Sequence, residues 1–256
     1  MKKYIFMAVA GMLALSSCSN DDNDQTTQNA PRQMTFTAGF GDGATTRATL
    51  SDNSVSFNAG DGISILSAKN TNTDFYTSEG GATATFTGSA TADSKFYAVY
   101  PYTMGLTLSG TTISGVFIPT NQSGAASSPC GWDPTAPIAY ATTTGTSLQF
   151  HNACALLKIN NDRGDANIIE IGCNEALTGT FSLDTSNGTL SGLSTNNTAS
   201  AGSVHFKTKI YIAIAPGTKT DFMAIWFDGN VPAMKEKASV TFEAGKIYDL
   251  GNTSEW

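Results

Sequence analysis

The clearest pattern along the chain is a strict alternation of apolar and small polar residues between Gln33 and Phe40. The apolar positions are Met34, Phe36, Ala38 and Phe40, and threonines or glycine stand between them. A period of two places all four side chains on one face of an extended strand. The segment is therefore predicted to be a β-strand with one buried face.

The rest of the chain repeats this pattern in shorter segments that are bounded by Gly, Asn, Asp and Pro. In the first half no amphipathic helical period persists for two turns, so the predicted class is all-β. Ser186, Asn187 and Gly188 are predicted to form a turn. The further predicted strands are 54–57, 62–67, 82–87, 95–100, 111–118, 138–141, 147–159, 168–173, 179–183, 204–215, 221–227, 238–242 and 246–250.

Two segments are harder to interpret. Residues 119–137 contain four prolines and few apolar residues, which predicts an exposed loop that carries Trp132. Residues 153–157 are continuously apolar and suit either a short helix or a buried strand. We favour the strand, because Asn160, Asn161 and Asp162 end the run early.

The length indicates more than one folding unit. Single all-β cores rarely grow to fill a chain of 256 residues, and two sandwiches of about 110 residues fit it better. We place the boundary near Gly145–Ser147. The predicted domains are two β-sandwiches in tandem, at 33–146 and 147–256.

The amino terminus predicts export. Lys2 and Lys3 precede an apolar run that is too short to span a bilayer, so residues 1–17 are interpreted as a signal peptide. The run ends in Leu-Ser-Ser-Cys, which looks like the lipobox of bacterial lipoproteins and predicts lipidation of Cys18. The alternative is an ordinary secretory signal that happens to contain a cysteine. Acyl chains on Cys18 would anchor the protein in a membrane without a spanning helix.

Residues 18–32 have no apolar periodicity and are predicted to be a flexible tether. Its acidic cluster, Asp21, Asp22 and Asp24, resembles the signals that send Bacteroidetes lipoproteins to the outer face of the outer membrane. A solvated linker would explain the same residues, and both interpretations stay open.

The charge and the cysteine content of the chain exclude several classes of partner and site. Without Lys2 and Lys3 the 14 basic residues become 12, which against 21 acidic residues gives a net charge of −9. Such a chain repels phosphate backbones, so nucleic acid is not an expected partner. Besides Cys18 the cysteines are Cys130, Cys154 and Cys173, an odd set with no metal-ligand spacing. A buried thiol is expected at Cys154, with a bridge to Cys173 as an open alternative.

The motifs of enzymes are absent from the sequence. There is no nucleophile elbow, no phosphate-binding loop and no zinc-protease helix, and we expect no cofactor, no metal and no catalytic residues. His151 and His205 have no partner residues at ligand spacing and are expected to be structural. Asp61 follows Gly60 and is expected to bond to the local backbone of a turn.

Several segments together resemble the fimbrillin family, the pilus subunits and pilus-associated lipoproteins of Bacteroidetes. The similarity runs along nearly the whole mature chain, and its order and spacing are more specific than any single piece. The matching segments are Thr46-Arg47-Ala48, 57–63, 96–101, 137–141, Phe150-His151-Asn152 with 155–159, 179–183, 215–218 and 242–251.

The resemblance implies two transthyretin-like β-sandwich domains and a subunit that polymerises with other pilus subunits by strand exchange. A protease would cut between Arg47 and Ala48, and the strand with Met34, Phe36, Ala38 and Phe40 would then be removable. A single arginine in an exposed loop is equally ordinary, so the cleavage stays open. The possible donor strands contain Val240, Phe242, Ile247 and Leu250. Because few residues follow Leu250, an accessory or non-polymerising role is also expected.

The alternative function is a surface adhesin or glycan-binding lipoprotein that does not polymerise, with host or bacterial surface glycans or proteins as partners. Tryptophans are the natural stacking platforms for sugars. Trp226 lies in a strand pattern that buries it, so Trp132 is the better candidate for a glycan contact.

The first residue of the cell-surface form tests this interpretation. We expect the chain to start at Cys18 if it is lipidated and uncut, and at Ala48 if the arginine site is processed. Mass spectrometry of the amino-terminal peptide distinguishes these starts, and a chain that still carries Met1 would contradict both.

Overall fold

The computed structural model describes residues 30–41, 49–51, 54–123 and 130–256. Within these residues the regular structure is almost entirely β, which confirms the predicted class. The helical element of this part is a single 3-10 turn, η1 (Thr253–Glu255). None of its helices has the length and apolar character needed to cross a membrane.

The strands follow one another with short connections. In chain order they are β1 (Arg32–Phe40), β2 (Thr49–Ser51), β3 (Ser54–Ser56), β4 (Gly62–Leu66), β5 (Thr73–Tyr76), β6 (Thr83–Ala90), β7 (Phe96–Tyr100), β8 (Thr107–Ser109), β9 (Thr112–Ile118), β10 (Asn121–Ser123), β11 (Cys130–Trp132), β12 (Ala139–Thr143), β13 (Ser147–Asn152), β14 (Ala155–Asn161), β15 (Ala166–Gly172), β16 (Thr178–Asp184), β17 (Thr189–Asn196), β18 (Thr198–Val204), β19 (Thr208–Ile214), β20 (Gly217–Phe227), β21 (Ala233–Phe242) and β22 (Ile247–Asn252).

The first unit is a closed barrel with strand order β1-β13-β12-β7-β4-β5-β6. Alternate residues of each strand point inward and fill the interior with aromatic and branched side chains. Its largest fully buried side chains include Phe36, Phe75, Phe86 and Phe150. The strand predicted at 33–40 is confirmed as β1 and forms part of this barrel wall.

The second unit is a sandwich of two sheets, β10-β18-β15-β20-β21 and β11-β19-β14-β22. Inward residues of both sheets form one core, in which Ile159, Ile212 and Trp226 are buried. Burial of Trp226 confirms its predicted structural role. The smaller sheets are β17-β16-β9-β8 and the pair β2-β3.

A third hydrophobic cluster joins these parts. It combines Tyr97 and Val99 from the barrel, Phe181 from the β17-β16-β9-β8 sheet, and Leu156 and Tyr211 from the sandwich. The barrel and the sandwich are therefore packed together through one continuous apolar contact.

Strands β7 and β14 contribute to two clusters at once. In β7, Phe96 and Tyr100 face the barrel interior and Tyr97 faces the third cluster. In β14, Leu157 faces the sandwich core and Leu156 faces the third cluster. Burial on both faces explains their near-continuous apolar sequence. The strand interpretation of the run 153–157 is confirmed from Ala155 onward, whereas Ala153 and Cys154 lie in the connection before β14.

The tandem division at 146/147 does not follow the strand pairing. β13, expected to begin the second domain, pairs with β1 and with β12 in the barrel. β9, expected in the first domain, pairs with β16. The predicted strand 147–159 is also two strands, because the chain leaves the barrel after Asn152 and enters the sandwich at Ala155.

The predicted exposed loop at 119–137 is wrong in part. β10 pairs in parallel with β18, and β11 pairs in parallel with β19, so both short segments close the edges of the sandwich sheets. Three-residue strands leave too short a pattern to be recognised in sequence. Residues 124–129 of this segment lie outside the described part.

The possible bridge between Cys154 and Cys173 is absent, because both are free thiols. Cys154 is fully buried in the third cluster, as expected, and Cys173 lies in the sandwich core. Burial raises the pKa of the Cys154 thiol to about 12, which keeps it protonated and unreactive.

Replacing Leu156 by alanine should reveal the contribution of the third cluster. The side chain is fully buried, so we expect Leu156→Ala to lower the free energy of unfolding by about 2–5 kcal/mol. Leu193 is 59% exposed, and Leu193→Ala should change stability by less than about 0.5 kcal/mol. Urea denaturation of both variants tests this, and equal effects would contradict the packing described here.

Candidate functional site

The side chains of β1 fill the barrel. Phe36 and Ala38 are fully buried, and Met34 and Phe40 are partly buried against the same core. The Phe36 ring makes edge contacts with Phe75 at 5.3 Å and with Phe96 at 5.2 Å between centroids. All four predicted residues thus pack on one face, as the alternation indicates.

Phe40 closes one end of the barrel interior. Its ring stacks on Phe57 at 4.8 Å and contacts Phe150 at 5.8 Å and the edge of Tyr100 at 6.0 Å. These partners are distant in sequence, so their meeting could not be predicted from spacing. Phe40 is consequently held by three other parts of the chain.

Asp61 fixes the polar end of this aromatic group. Its Oδ2 accepts a hydrogen bond from the Asn58 backbone N–H at 2.8 Å, which confirms the predicted turn, and another from the Tyr100 hydroxyl at 3.1 Å. Burial, and secondarily the Asp61 charge, raise the pKa of Tyr100 far above its ordinary value. The phenol therefore remains a donor and orients the ring that Phe40 contacts.

β1 is paired on both sides along part of its length. Residues 32–39 pair antiparallel with β6, and residues 37–40 also pair in parallel with β13. The first half of β1 therefore has one neighbour and the second half has two. Departure of β1 would leave a slot with unpaired backbone groups on both of its walls.

The candidate donor residues lie on two edge strands. β21 is at the edge of one sandwich sheet and β22 at the edge of the other. Phe242 is buried, and its ring contacts Phe222 at 5.3 Å and Tyr248 at 4.9 Å. Val240 and Leu250 pack on the same core, whereas Ile247 packs on the third cluster. All four predicted donor residues are thus engaged in their own chain.

Charged groups hold β22 in place. Lys158 Nζ lies 2.6 Å from Asp249 Oδ2, and Lys235 Nζ donates to the Leu250 carbonyl at 2.6 Å. The hydrogen bond to Asp249 raises the pKa of Lys158. Burial alone would raise the pKa of Asp249. The hydrogen bonds from Lys158 and from the Gly251 amide, together with the charges of Lys158 and Lys235, outweigh burial and lower this pKa overall.

Several predicted site residues cannot be placed. Cys18, Arg47 and Ala48 lie outside the described residues. Trp132 is the last residue of β11 rather than part of a loop, and its side chain also lies outside the described part.

The two histidines occupy the surface. His151 is an outward residue of β13 beside Tyr140, and His205 lies 3.9 Å from Asp165 in an exposed connection. Neither belongs to a core, so the expected structural role receives no support from packing. In the described ranges no group of three His, Cys, Asp or Glu side chains could hold a metal ion.

No protein-family model and no curated protein sequence matches this chain. A solved structure does: a "putative cell adhesion protein" from Bacteroides uniformis agrees with a TM-score of 0.55 at 14% sequence identity, over 86% of this chain and 92% of that one. This chain has the same fold as that protein.

Two further structures agree less closely. A second "putative cell adhesion protein", from Bacteroides ovatus, has a TM-score of 0.47 at 16% identity over 76% of this chain and 83% of its own. The tip fimbrial protein Mfa3 from Porphyromonas gingivalis has a TM-score of 0.37 at 10% identity, over 86% of this chain and 94% of its own.

The Lys158–Asp249 pair predicts a pH dependence of β22. A carboxyl with a lowered pKa stabilises the fold above its unfolded value of 3.8 and loses that contribution as the pH falls through the folded value. Because Asp249 is about half exposed, screening limits the effect to less than about 1 kcal/mol.

We expect the hydrogen-exchange protection factors of β22 amides to fall as the pH drops below about 4. Asp249→Asn should lower protection at neutral pH and flatten this dependence. Glu236→Gln, at an exposed carboxyl of β21, is the control and should leave β22 unchanged. Exchange is measured at the amides of β22 alone. The carboxyl of Asp162 also has a lowered pKa, but its hydrogen bond with Ser254 stabilises η1 rather than β22.

Proposed function

We propose that this chain is a structural subunit or accessory component of a cell-surface pilus, exported as a lipoprotein and assembled by strand exchange. The fold shared with the Bacteroides uniformis protein and the sequence resemblance to fimbrillins both support this role. The anchor would be an acylated Cys18, held in the outer membrane with the folded units at the cell surface.

The observation that carries the proposal is the position of β1. It is the first strand that the structure describes, it packs its apolar side into the barrel, and it lies between β6 and β13. Burial of a side chain such as Phe36 contributes about 1.5–3 kcal/mol. A barrel that lost β1 would therefore be driven to accept another strand with the same alternation.

Cleavage after Arg47 provides the trigger. While the chain is intact, β1 is tethered to the barrel, and a short linker gives it a high effective concentration for rebinding. A cut between Arg47 and Ala48 would make rebinding bimolecular. The freed strand would then diffuse away, and a strand from another subunit could replace it.

The donor strand must come from residues that can leave their own fold. The candidate residues lie on β21 and β22, which are edge strands and are therefore paired with a neighbouring strand on one side only. Their departure would open the sandwich core.

We propose further that the barrel and the sandwich correspond to two transthyretin-like units. These units share strands across the boundary that was predicted from the length of the chain. The partners would be other pilus subunits.

A second candidate function is an adhesin that does not polymerise, with surface glycans or proteins as partners. The observation that favours it is the engagement of Phe242, Ile247 and Leu250 in this chain's own clusters. A subunit whose donor strands are already occupied could accept a strand at the end of a filament, or act alone.

Strand exchange can be tested with an arginine-specific protease. The chain has three arginines, at positions 32, 47 and 163. We expect the cleaved protein to form large species whose size increases with concentration, measured by size-exclusion chromatography with light scattering. Arg47→Gln is the matched control and should remain monomeric after the same treatment.

An excess of a synthetic peptide with the sequence of β1 should block this assembly, because it would occupy the slot. A peptide with both phenylalanines replaced by serine should not. If the cleaved protein stays monomeric at high concentration, self-polymerisation is excluded and the adhesin role remains.

A further inference from the structure

A polar pocket lies on the outer face of the barrel. It has a volume of about 310 Å³ and is lined by Tyr140, Thr142, Gln149, His151, Thr185 and Ser186. The first four belong to β12 and β13, and the last two belong to the turn between β16 and β17. The pocket therefore forms where the barrel meets a neighbouring sheet, a common location for ligand sites.

The two rings of the pocket form a corner. Tyr140 and His151 are directly opposite each other in the β12–β13 pairing. Their ring centroids are 6.0 Å apart, and the ring planes meet at 44°. Such a pair offers apolar ring faces and polar ring atoms side by side.

The turn is fitted closely against Tyr140. A Cβ atom at Gly188 would lie 2.5 Å from the Tyr140 hydroxyl oxygen, and Gly188 has a φ of 76°. Glycine meets both requirements, since it has no side chain and tolerates positive φ. The wall of the pocket is thus held at a fixed distance from the ring.

The carboxylate of Asp184, next to the pocket, already accepts hydrogen bonds from within the protein. Asp184 Oδ1 accepts bonds from the Ser186 backbone at 2.9 Å, from the Ser186 hydroxyl at 2.7 Å and from the Thr111 hydroxyl at 3.1 Å. The side chains that line the pocket carry an amide, hydroxyls and an imidazole, which both donate and accept hydrogen bonds. This set suits a neutral ligand rich in hydroxyl groups.

We propose that this pocket binds one neutral hexose unit of a surface glycan. The rings of Tyr140 and His151 would contact the apolar face of the sugar, and Gln149 and Thr142 would bond to its hydroxyls. The volume is at the lower end of the range for ligand pockets, which limits the occupant to about one ring.

A larger recess, beside β7 and β8, is less suitable. It has a volume of about 530 Å³ and includes Lys69, Asp93 and Lys95 in its lining. Lys95 Nζ lies 4.9 Å from the centroid of the Tyr97 ring and covers it, so no free aromatic face remains for a sugar. By contrast, no carboxylate, lysine or arginine is among the six residues that line the pocket at Tyr140.

This proposal deepens the adhesin role. Because Gln149 and His151 lie on β13, which pairs with β1, sugar binding is tested on the uncut chain, in which β1 is in place. Failure of hexose binding would leave strand exchange untouched. Failure of assembly would leave the pocket untouched. The two ideas can therefore be overturned separately.

Nuclear magnetic resonance of the histidine rings gives a direct test on the unmodified mature chain. The chain has two histidines, so each can be followed while glucose, galactose, mannose and N-acetylglucosamine are added in turn. We expect the ring signals of His151 to shift with at least one of these sugars and those of His205 to stay constant. If no sugar moves the His151 signals, the proposal is wrong.

Variants then locate the site. Gln149→Ala removes one hydrogen-bonding side chain from the exposed face and should weaken binding by about 2- to 10-fold. His151→Ala removes half of the aromatic corner and should weaken it at least as much. The control is Tyr76→Ala, because Tyr76 pairs with Tyr102 at 6.2 Å elsewhere on the barrel. Equal loss in the control, or unchanged binding in both pocket variants, would overturn the assignment.

Discussion

Closure of the barrel by one strand is the constraint on which the first unit depends. In the order β1-β13-β12-β7-β4-β5-β6, β1 is the link between β6 and β13. Without it the sheet would open at two edges, and the pockets of Phe36 and Ala38 would be empty. β1 therefore contributes both backbone pairing and buried side chains to the barrel, and Arg47 follows it by seven residues in the sequence. The proposed strand exchange would act at this closure.

The same constraint links the barrel to the rest of the chain. β13 closes the barrel beside β1, and two residues later the chain enters β14, which is central to the sandwich. Leu156 of β14 packs with Tyr97 of β7 in the cluster between the units. A change in the barrel wall thus acts on strands that directly adjoin the sandwich, without any flexible linker between them.

Local patterns in the sequence predicted individual strands well and their assembly poorly. The alternation at Met34, Phe36, Ala38 and Phe40 indicated the correct face of β1, and the apolar run at 153–157 correctly indicated a buried strand, which begins at Ala155. β17 and β18 were missed because they are rich in Thr, Ser, Gly and Asn and show little alternation. The pairing of β13 with β1 across the predicted boundary could not be foreseen, because nothing local shows that Ser147 pairs with Thr37. The pocket at Tyr140 depends on a turn that is distant in sequence, so no motif could indicate it.

The two walls of the β1 slot differ in direction. β6 runs antiparallel to β1, and β13 runs parallel to it. A replacement strand that entered in reverse would still meet one antiparallel wall and one parallel wall, so backbone pairing distinguishes the two orientations only weakly. The depth and spacing of the cavities left by Phe36 and Ala38 would have to select the orientation. In a filament built this way, head-to-tail polarity would be encoded by side-chain shape rather than by the hydrogen-bond ladder.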